Sequence, residues 1–481
     1  MSHNSSLKRP PAEDGSLEDN GTDMVVLKPV KRQRREGQEE DPDSNDTPVF
    51  PFIPSEILLE IFTCLGRLRS GTPRGSIAFL DLLLVCRRWR NAALSCHDLW
   101  TDIPVFSEKW TKKMLDWSKD VPLSVNVHTN LATDNHSPTD IPRANSAALS
   151  ETLVHFPRVQ ELQIKNFLPG EIGTFINSGL ASAPLLESLQ LIVARKELTA
   201  PDGRRQVVAL FTPPSVQAPR LQRFTLVHMG FSWNLSMLRN LVELEVRDPA
   251  EQSRASMSTV LDTLREMLFL ERLSLHNALW DNGQVTASTS PVDLPRMKRL
   301  ELSGPGRELE LVLGALILRR DVRMKLNLNG ALFSGAIMKL RKHYPEPSLG
   351  SPPGCYLNKL NMTDGNFRTG FSVRAWTNID KENDPQIELL LSWSHGEYSY
   401  QAARGVATTL SVALPLREVE EIVALNLPMS DKDWKRAFGS FKKLVKVKRV
   451  EKKWDPSQLV DRRFNSAPFF SPKVAVGVGP R

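Results

Sequence analysis

Residues 52–65 read FIPSEILLEIFTCL, and they open the stretch that decides the fold of this chain, Phe50 to Ile103. Pro54 presets the backbone dihedral at the start of a helix, where its missing N–H costs nothing. The apolar residues that follow recur one helical turn apart and therefore predict an amphipathic helix. The run LLLVCRRWRNAA at residues 82–93 repeats that spacing. Two or three helices in roughly fifty residues have more apolar side chain than so small a unit can bury, which indicates a module that needs a partner.

This stretch resembles an F-box, the short helical module that docks substrate receptors onto the Skp-type adaptor of cullin–RING ubiquitin ligases. In the family pattern an apolar residue and proline precede a glutamate and an aliphatic helix, as they do in Ile53–Leu58. An apolar-Val-Cys-Arg-Arg-Trp run follows, matched by Leu84–Trp89, and a final Leu-Trp is matched by Leu99–Trp100. The resemblance covers residues 49–104, about a tenth of the chain.

The resemblance implies a surface that binds the adaptor. Within the module, Trp89 is expected chiefly to hold the small helical core together, with Val85 and Cys86 packed beside it. The connection Gly66–Ser76 is longer and more basic than a minimal F-box needs, and we expect it to loop out without disturbing the docking surface. The implied adaptor-binding residues are Ile53, Pro54, Ile57, Leu58, Ile61, Phe62, Leu65, Val85, Cys86 and Trp89.

The composition is that of a globular protein with a substantial core and a mild charge bias. The chain has 481 residues, of which 41% are hydrophobic and 24% charged, and its length alone favours about three domains. Its 62 Lys and Arg against 55 Asp and Glu give a net charge of +7, which does not by itself imply a nucleic-acid partner. The four cysteines show no C-x-x-C spacing, so we expect buried thiols in a reducing compartment and no metal site.

Neither a secretory signal nor a membrane span is predicted. The first residues lead into charge instead of an apolar run. The longest apolar runs, such as residues 311–318, are far shorter than a membrane span. We therefore expect a soluble intracellular protein that is found in the nucleus, the cytoplasm or both, without a membrane partner.

Residues 1–48 are predicted to be disordered because Ser, Glu, Asp, Asn, Gly and Pro dominate them. A basic cluster within residues 28–35 can present several cations to the acidic groove of a nuclear import receptor. The alternative is a solvated charge run, balanced by the acidic residues that follow it. The residues of the predicted import signal are Lys28, Lys31, Arg32, Arg34 and Arg35.

Residues 105–150 are predicted to connect the helical module to the rest of the chain. Trp110–Trp117 has the pattern of a helix, Pro122–His128 alternates like a strand, and polar residues from Thr129 to Ala144 form a loop. A helix followed by a Pro-Leu-Ser-Val strand resembles the segment that follows the F-box in many fungal receptors.

From residue 151 to 464 the chain repeats a loose unit of an apolar residue, two others, Leu, one other and a further apolar residue. Clear copies start at residues 159, 186, 221, 241, 270 and 297, a spacing close to the 20–29 residues of leucine-rich repeats. The pattern predicts an α/β fold in which the F-box-like module precedes an irregular leucine-rich-repeat-like solenoid, with strands on its concave face and helices on its convex face. The alternative is that such units arise by chance in a leucine-rich α/β protein.

Two features predict that the stack is irregular. The Asn or Cys expected after each repeat strand is mostly absent, and the Pro- and Gly-rich residues 345–354 are expected to interrupt the stack. Near the end, basic residues crowd positions 432–453, with Trp434, Phe438 and Phe441 between them. Helical spacing directs these aromatic residues toward a core and the lysines into solvent; a phosphate-binding surface is the alternative. Residues 465–481 are predicted to be a disordered tail.

The sequence contains no H-E-x-x-H, G-x-S-x-G or Walker-type motif. His228, His276 and His343 have no carboxylate or cysteine at ligand spacing, so each is interpreted as a loop or core histidine. We therefore predict a non-catalytic protein without a cofactor or a metal.

Two functions remain open at this point. In the preferred one, the chain is the substrate-recognition subunit of a Skp–cullin–F-box ubiquitin ligase. It would dock on the Skp-type adaptor, reach a cullin through that adaptor, and bind an unidentified target protein through the repeats. In the alternative, the chain is a nuclear scaffold or nucleic-acid-associated repeat protein whose F-box-like segment only caps the solenoid. The basic tail and the terminal basic cluster favour this alternative.

Overall fold

The computed structural model divides into two compact units, residues 1–53 and 54–481. The first unit contributes only Ile53 to the described residues, so the account below concerns the second unit. The predicted nuclear-import signal lies outside the described residues. The described ranges are 53–69, 79–128, 146–167, 179, 183–193, 218–233, 236–280, 290–330, 333–344, 357–366, 370–377, 385–392, 400–425, 430–439, 443–450 and 476–478.

Three helices begin the second unit: α1 (Ser55–Arg69), α2 (Leu82–Val85) and α3 (Arg87–Ser95). The Pro54 carbonyl accepts a hydrogen bond from the N–H of Leu58 at 3.1 Å and so closes the first turn of α1, as a proline at a helix start allows. The structure differs from the expectation for Gly66–Ser76, because α1 continues to Arg69; residues 70–76 lie outside the described residues.

The remaining helices and strands follow in chain order, and short 3-10 turns lie between some of them. They are β1 (Asp102–Pro104), α4 (Glu108–Ser118), β2 (Leu123–His128), α5 (Ser146–Val154), β3 (Val159–Phe167), β4 (Ser188–Val193), β5 (Arg223–Val227), β6 (Glu243–Arg247), β7 (Ala255–Ser256), α6 (Met257–Arg265), β8 (Arg272–His276), β9 (Leu279–Trp280), β10 (Val292–Asp293), β11 (Arg299–Pro305), α7 (Gly306–Ala315), β12 (Leu316–Ile317), β13 (Arg323–Asn329), α8 (Ser334–His343), β14 (Lys359–Asn366), β15 (Gly370–Trp376), β16 (Ile387–Ser392), α9 (Tyr400–Ala413), β17 (Glu421–Leu425), α10 (Asp431–Phe438), β18 (Lys446–Val450) and β19 (Val476–Val478).

Within the described part of the chain, fifteen of these strands form one sheet. From β1 to β13 its neighbours are parallel and follow the chain in order, while the short pairs β7–β9 and β10–β12 stand apart from it. Parallel neighbours need a crossover connection, which leads the chain from the end of one strand back to the end of the sheet where the next strand begins. The mixed α/β class, with a helical N-terminal part and a large sheet, is confirmed.

The repeated apolar unit found in the sequence coincides with these strands and sets their register. Leu189 lies opposite Phe224 on neighbouring strands, and Leu244 opposite Leu273, which in turn lies opposite Leu300. All five side chains are at most 1% exposed. Each buried side chain of this size contributes about 1.5–3 kcal/mol, and a slip of one residue would turn every one of them to the opposite face.

Helices cover the buried side of the later strands. Leu309, Val312 and Leu313 of α7 and Ile337 and Leu340 of α8 are completely buried. The buried His343 places its Nε2 atom 2.8 Å from the carbonyl oxygen of Leu313, which ties α8 to α7. Burial lowers the pKa of His343, in agreement with the expected core histidine.

The order of the strands changes after β13. The next neighbour of β13 in the sheet is β16, followed by β15, β14 and β17, and β15 is antiparallel to both of its neighbours. The hairpin β14–β15 and the strand β16 therefore enter the sheet in reverse order. The Pro- and Gly-rich residues 345–354 precede this change and lie outside the described residues.

Two elements of the C-terminal part bear on expectations from the sequence. Trp434 and Phe438 of α10 are 8% and 3% exposed, which confirms that they face a core, while Phe441 lies outside the described residues. Val476–Val478, within the range predicted to be a tail, are paired as β19 antiparallel to β18. The edge of a strand such as β18 offers backbone groups with which a following extended segment can pair.

A repeated turn follows three successive strands of the parallel sheet. The residues directly after β5, β6 and β8 have positive φ, at +58°, +46° and +48°, and the equivalent residue of the next strand lies within β11 and is a glycine with φ of +157°. His, Asp and Asn are among the non-glycine residues that best tolerate the left-handed backbone of the first three positions, so Asn is not required at each of them. The Asn277 side chain donates a hydrogen bond of 2.6 Å to Asp248 Oδ1 and links two of these turns. The four residues are His228, Asp248, Asn277 and Gly304.

The turn predicts an unusual order of stability at Asp248. Both Asp248→Ala and Asp248→Gly lose the hydrogen bond from Asn277, but alanine also costs about 1–2 kcal/mol at positive φ. We therefore expect Asp248→Gly to be more stable than Asp248→Ala by about 1 kcal/mol in denaturant unfolding. At Glu245, within β6, the order should reverse, since glycine weakens a strand interior by about 0.5–1 kcal/mol. The same order at both positions would contradict the proposed role of the turn.

Candidate functional site

The apolar residues of α1 divide between two faces of the helix. Leu58 and Phe62, one turn apart, are 1% and 0% exposed. Ile57 and Ile61, also one turn apart, are 51% and 41% exposed. In the sequence these four residues form one apolar stripe. Since successive residues are rotated by about 100° around a helix, a stripe this wide has an inner and an outer edge.

The inner face of α1 packs on α3 and on the turn after it. The rings of Phe62 and Trp89 meet edge to face with centroids 5.5 Å apart, a geometry worth about 0.5–1.5 kcal/mol beyond burial. Thr63 Oγ1 lies 3.5 Å from Sγ of the buried Cys96. Completely buried Trp100 donates from Nε1 to the carbonyl of Ala93 at 2.8 Å. These contacts form the core of the helical module.

The module is joined to the sheet through two tryptophans. The rings of Trp100 and Trp117 lie with centroids 4.8 Å apart, and His97 Nδ1 lies 2.7 Å from the carbonyl oxygen of Trp117 in α4. The side chain of Asn126 in β2 donates to the buried Asp102 of β1 at 3.2 Å. The helical module thus continues directly into the first strands of the sheet.

The junction of α2 and α3 presents a second set of exposed apolar side chains. Leu84 is 73% and Val85 58% exposed. Cys86, in extended conformation, caps α3 by accepting the Trp89 N–H on its thiol at 3.5 Å. Arg88 Nη2 donates to Ser55 Oγ at 3.4 Å, which brings the start of α3 to the start of α1. We call Ile57, Ile61, Leu84 and Val85 the outer apolar residues.

The predicted adaptor-binding residues therefore fall into three groups. Leu58 and Phe62 are buried in the module, so their side chains contact its core and not the solvent. Leu84 is not one of the predicted adaptor-binding residues, although the run of four apolar residues that forms α2 indicates that some of them remain exposed. Ile53, Leu65 and Trp89 are half-buried, whereas Pro54, Ile57, Ile61, Val85 and Cys86 are exposed.

The cysteines differ from the expectation of buried thiols. Cys64 and Cys86 are exposed, and only Cys96 of the three described cysteines is buried. Cys64 lies on the exposed side of α1, and Cys86 is the N-cap residue of α3, at the junction with α2. Cys355 lies outside the described residues.

One cluster of polar side chains on the sheet contains the types used by hydrolases. His276 Nε2 lies 3.0 Å from Ser274 Oγ and 3.9 Å from Glu301 Oε2. Both partners approach the same ring nitrogen, whereas a catalytic triad needs the carboxylate on the other one. Burial, and then the charge of Arg247, lower the pKa of His276. Among the described residues, no group of three or more His, Cys, Asp or Glu could hold a metal ion.

The helical module matches a known family model. Residues 50–103 match the family model described as F-box-like, and this range runs from before α1 into β1. No curated protein matches the chain. Residues 50–103 therefore form an F-box-like domain, a class of domain that typically binds Skp-type adaptors. In the described part of the chain, none of the helices is both long enough and apolar enough to cross a membrane.

The two faces of α1 predict very different losses of stability from the same kind of truncation. Leu58→Ala removes buried methyl groups and should destabilise the module by about 2–5 kcal/mol. Ile57→Ala, at the adjacent exposed position, should change its stability by at most about 0.5 kcal/mol. Tryptophan fluorescence during denaturant unfolding measures both, since Trp89 and Trp100 lie in the module core. Equal losses in the two variants would show that α1 is packed differently.

Proposed function

We propose that this chain is the substrate-recognition subunit of a Skp–cullin–F-box ubiquitin ligase and has no catalytic role of its own. The observation that carries the proposal is the outer face of α1, where Ile57 and Ile61 stay exposed inside an F-box-like domain. Exposed branched aliphatic side chains at one-turn spacing suit a hydrophobic partner surface. The adaptor would cover them and connect the chain to a cullin.

The division of α1 supports separate roles for its residues in this proposal. The outer apolar residues, together with Pro54 and Cys86, would contact the adaptor. Leu58, Phe62 and Trp89 would hold the helices that present them. Buried residues at the centre of an interface usually carry most of its binding energy, about 2 kcal/mol or more each.

We further propose that the parallel strands β3 to β13 belong to an irregular leucine-rich-repeat-like solenoid whose polar strand face binds the target protein. The chain-order stacking of parallel strands and the register of their buried leucines support this assignment. The helix α4 followed by the strand β2 supports the fungal type of receptor, because that segment carries the resemblance.

The proposal predicts that charge on the outer face of α1 abolishes adaptor binding without unfolding the chain. In the double variant Ile57→Asp and Ile61→Asp, two desolvated contacts are replaced by carboxylates. We expect affinity for a purified Skp-type adaptor to fall by roughly thirtyfold or more, which corresponds to about 2 kcal/mol. The affinity is measured as binding to surface-immobilised adaptor, and circular dichroism checks that the double variant is folded.

A matched control is Leu268→Asp, since Leu268 is an aliphatic residue outside the module with 55% exposure. It should bind the adaptor like the unaltered chain. If the double variant also binds normally, or if the unaltered chain does not bind, the adaptor-docking proposal is wrong. Co-purification from cells followed by mass spectrometry shows whether the adaptor and a cullin accompany the chain.

The alternative function is a nuclear scaffold or nucleic-acid-associated protein in which the helical module only caps the sheet. The contacts of Trp100 with Trp117 and of His97 with α4 favour a capping role, because they connect the module to the first strands. Failure to co-purify the adaptor, combined with nucleic-acid binding that falls steeply with salt, would select this alternative.

We also propose that the basic cluster of residues 28–35 directs the chain to the nucleus. Replacing Lys31, Arg32, Arg34 and Arg35 by alanine removes the cations that an acidic receptor groove would bind. A fluorescent fusion of the full chain should then move from the nucleus to the cytoplasm. Substituting Lys8 and Arg9 instead is the control, and an unchanged distribution of the cluster variant would refute the proposal.

A further inference from the structure

The exposed face of the sheet carries a row of charged residues where the strands begin. In register across neighbouring strands, this row contains Arg223, Glu243, Arg272, Arg299 and Arg323 of β5, β6, β8, β11 and β13. The residue that follows each of them along its strand is buried, so all five point to the same open face. The buried apolar residues that follow them hold this row in place, whatever its charges.

In the first part of the row, acids and bases alternate. Arg223 Nη2 lies 2.7 Å from Glu161 Oε1, reaching across the small Ser188 of β4. Arg272 Nη2 lies 3.0 Å from Glu243 Oε1 on the adjacent strand. From β3 to β8, carboxylates and guanidinium groups therefore balance one another along the row, and Arg272 is the last base of this balanced part.

The alternation stops at β8. Arg272, Arg299 and Arg323 occupy directly opposed positions on three neighbouring strands, which lie about 4.8 Å apart. Like charges that face each other across strands destabilise a sheet. The side chains of Arg272 and Arg299 remain 59% and 55% exposed although each has one carboxylate partner. We call these three residues the arginine row.

We infer that the arginine row is a docking surface for an acidic, Asp- and Glu-rich segment of a partner protein. Guanidinium groups bind carboxylates with paired hydrogen bonds, and they are less strongly hydrated than ammonium groups. An extended acidic segment lying across the strands would present its charges along the same line. The inference deepens the proposed function, on which it rests, by naming the chemistry of the target.

The geometry favours a line of carboxylates over a single compact phosphate. Arg272 leans toward Glu243 on β6, whereas Arg299 lies 2.7 Å from Glu301 on its own strand. Two arginines held in different directions do not converge on one anion. They do present successive positive charges to a chain that crosses both.

The test measures binding of a short fluorescein-labelled glutamate-rich peptide to the full chain by fluorescence anisotropy, with the glutamine counterpart as reference. We expect the glutamate peptide to bind, the glutamine peptide not to bind, and the affinity to fall with added salt. The triple variant Arg272→Ala, Arg299→Ala and Arg323→Ala should lose roughly tenfold or more in affinity. The thermal unfolding midpoint of the triple variant should decrease no more than the midpoints of the control variants described below.

Two controls separate the arginine row from positive charge in general. Arg223→Ala removes an arginine of the same row that lies between the carboxylates of Glu161 and Glu243 and not beside another arginine, and Lys443→Ala with Lys446→Ala removes basic residues of another surface. Both should bind the peptide like the unaltered chain. An equal loss in either control, or no binding by the unaltered chain, would overturn the inference.

Two further probes test the choice of ligand. Tighter binding of a phosphoserine peptide, or of single-stranded nucleic acid, with the same dependence on the arginine row would overturn the assignment to carboxylates. Adaptor affinity is measured on the same samples. Normal adaptor binding without peptide binding refutes the arginine row alone, whereas peptide binding without adaptor binding refutes the adaptor-docking proposal and leaves the row as a separate surface.

Discussion

The rest of the structure depends on the in-register packing of apolar side chains between parallel neighbouring strands. Leu244, Leu273 and Leu300 occupy the same level of three successive strands and are buried to 1% exposure or less. Because side chains alternate along a strand, this single constraint determines both faces of the sheet at once. Each strand needs its neighbours to bury its inner residues, so the sheet is stable only as an extended array.

That constraint also explains the surface features of the sheet. The turns that follow β5, β6 and β8 use residues that tolerate positive φ, such as Asp248 and Asn277. On the open face, the register places Arg272 opposite Arg299 even though like charges repel. The free energy of burying the inner leucines offsets that repulsion, so such a row can persist for a binding role.

The helical module follows a different principle, since a single short helix must serve two surfaces. Phe62 and Trp89 hold α1 against α3, while Ile57 and Ile61 on the outer side have no contact of that kind and remain exposed. A module of this size cannot bury all its apolar residues by itself. The exposed remainder is what makes an F-box-like domain suited to a partner, and the contacts through Trp100 attach it to the sheet.

The sequence by itself determined the helical module, the strands of the clear repeat units and the alternation of buried and exposed residues along them. Each of these follows from local periodicity. Only the tertiary structure decided which edge of α1 is buried, since Leu58 and Ile57 are equally apolar and differ only in what packs against them. It alone also decided the reversed order of β14 to β16 and the line of three arginines, because both depend on residues that are distant in sequence becoming neighbours across strands.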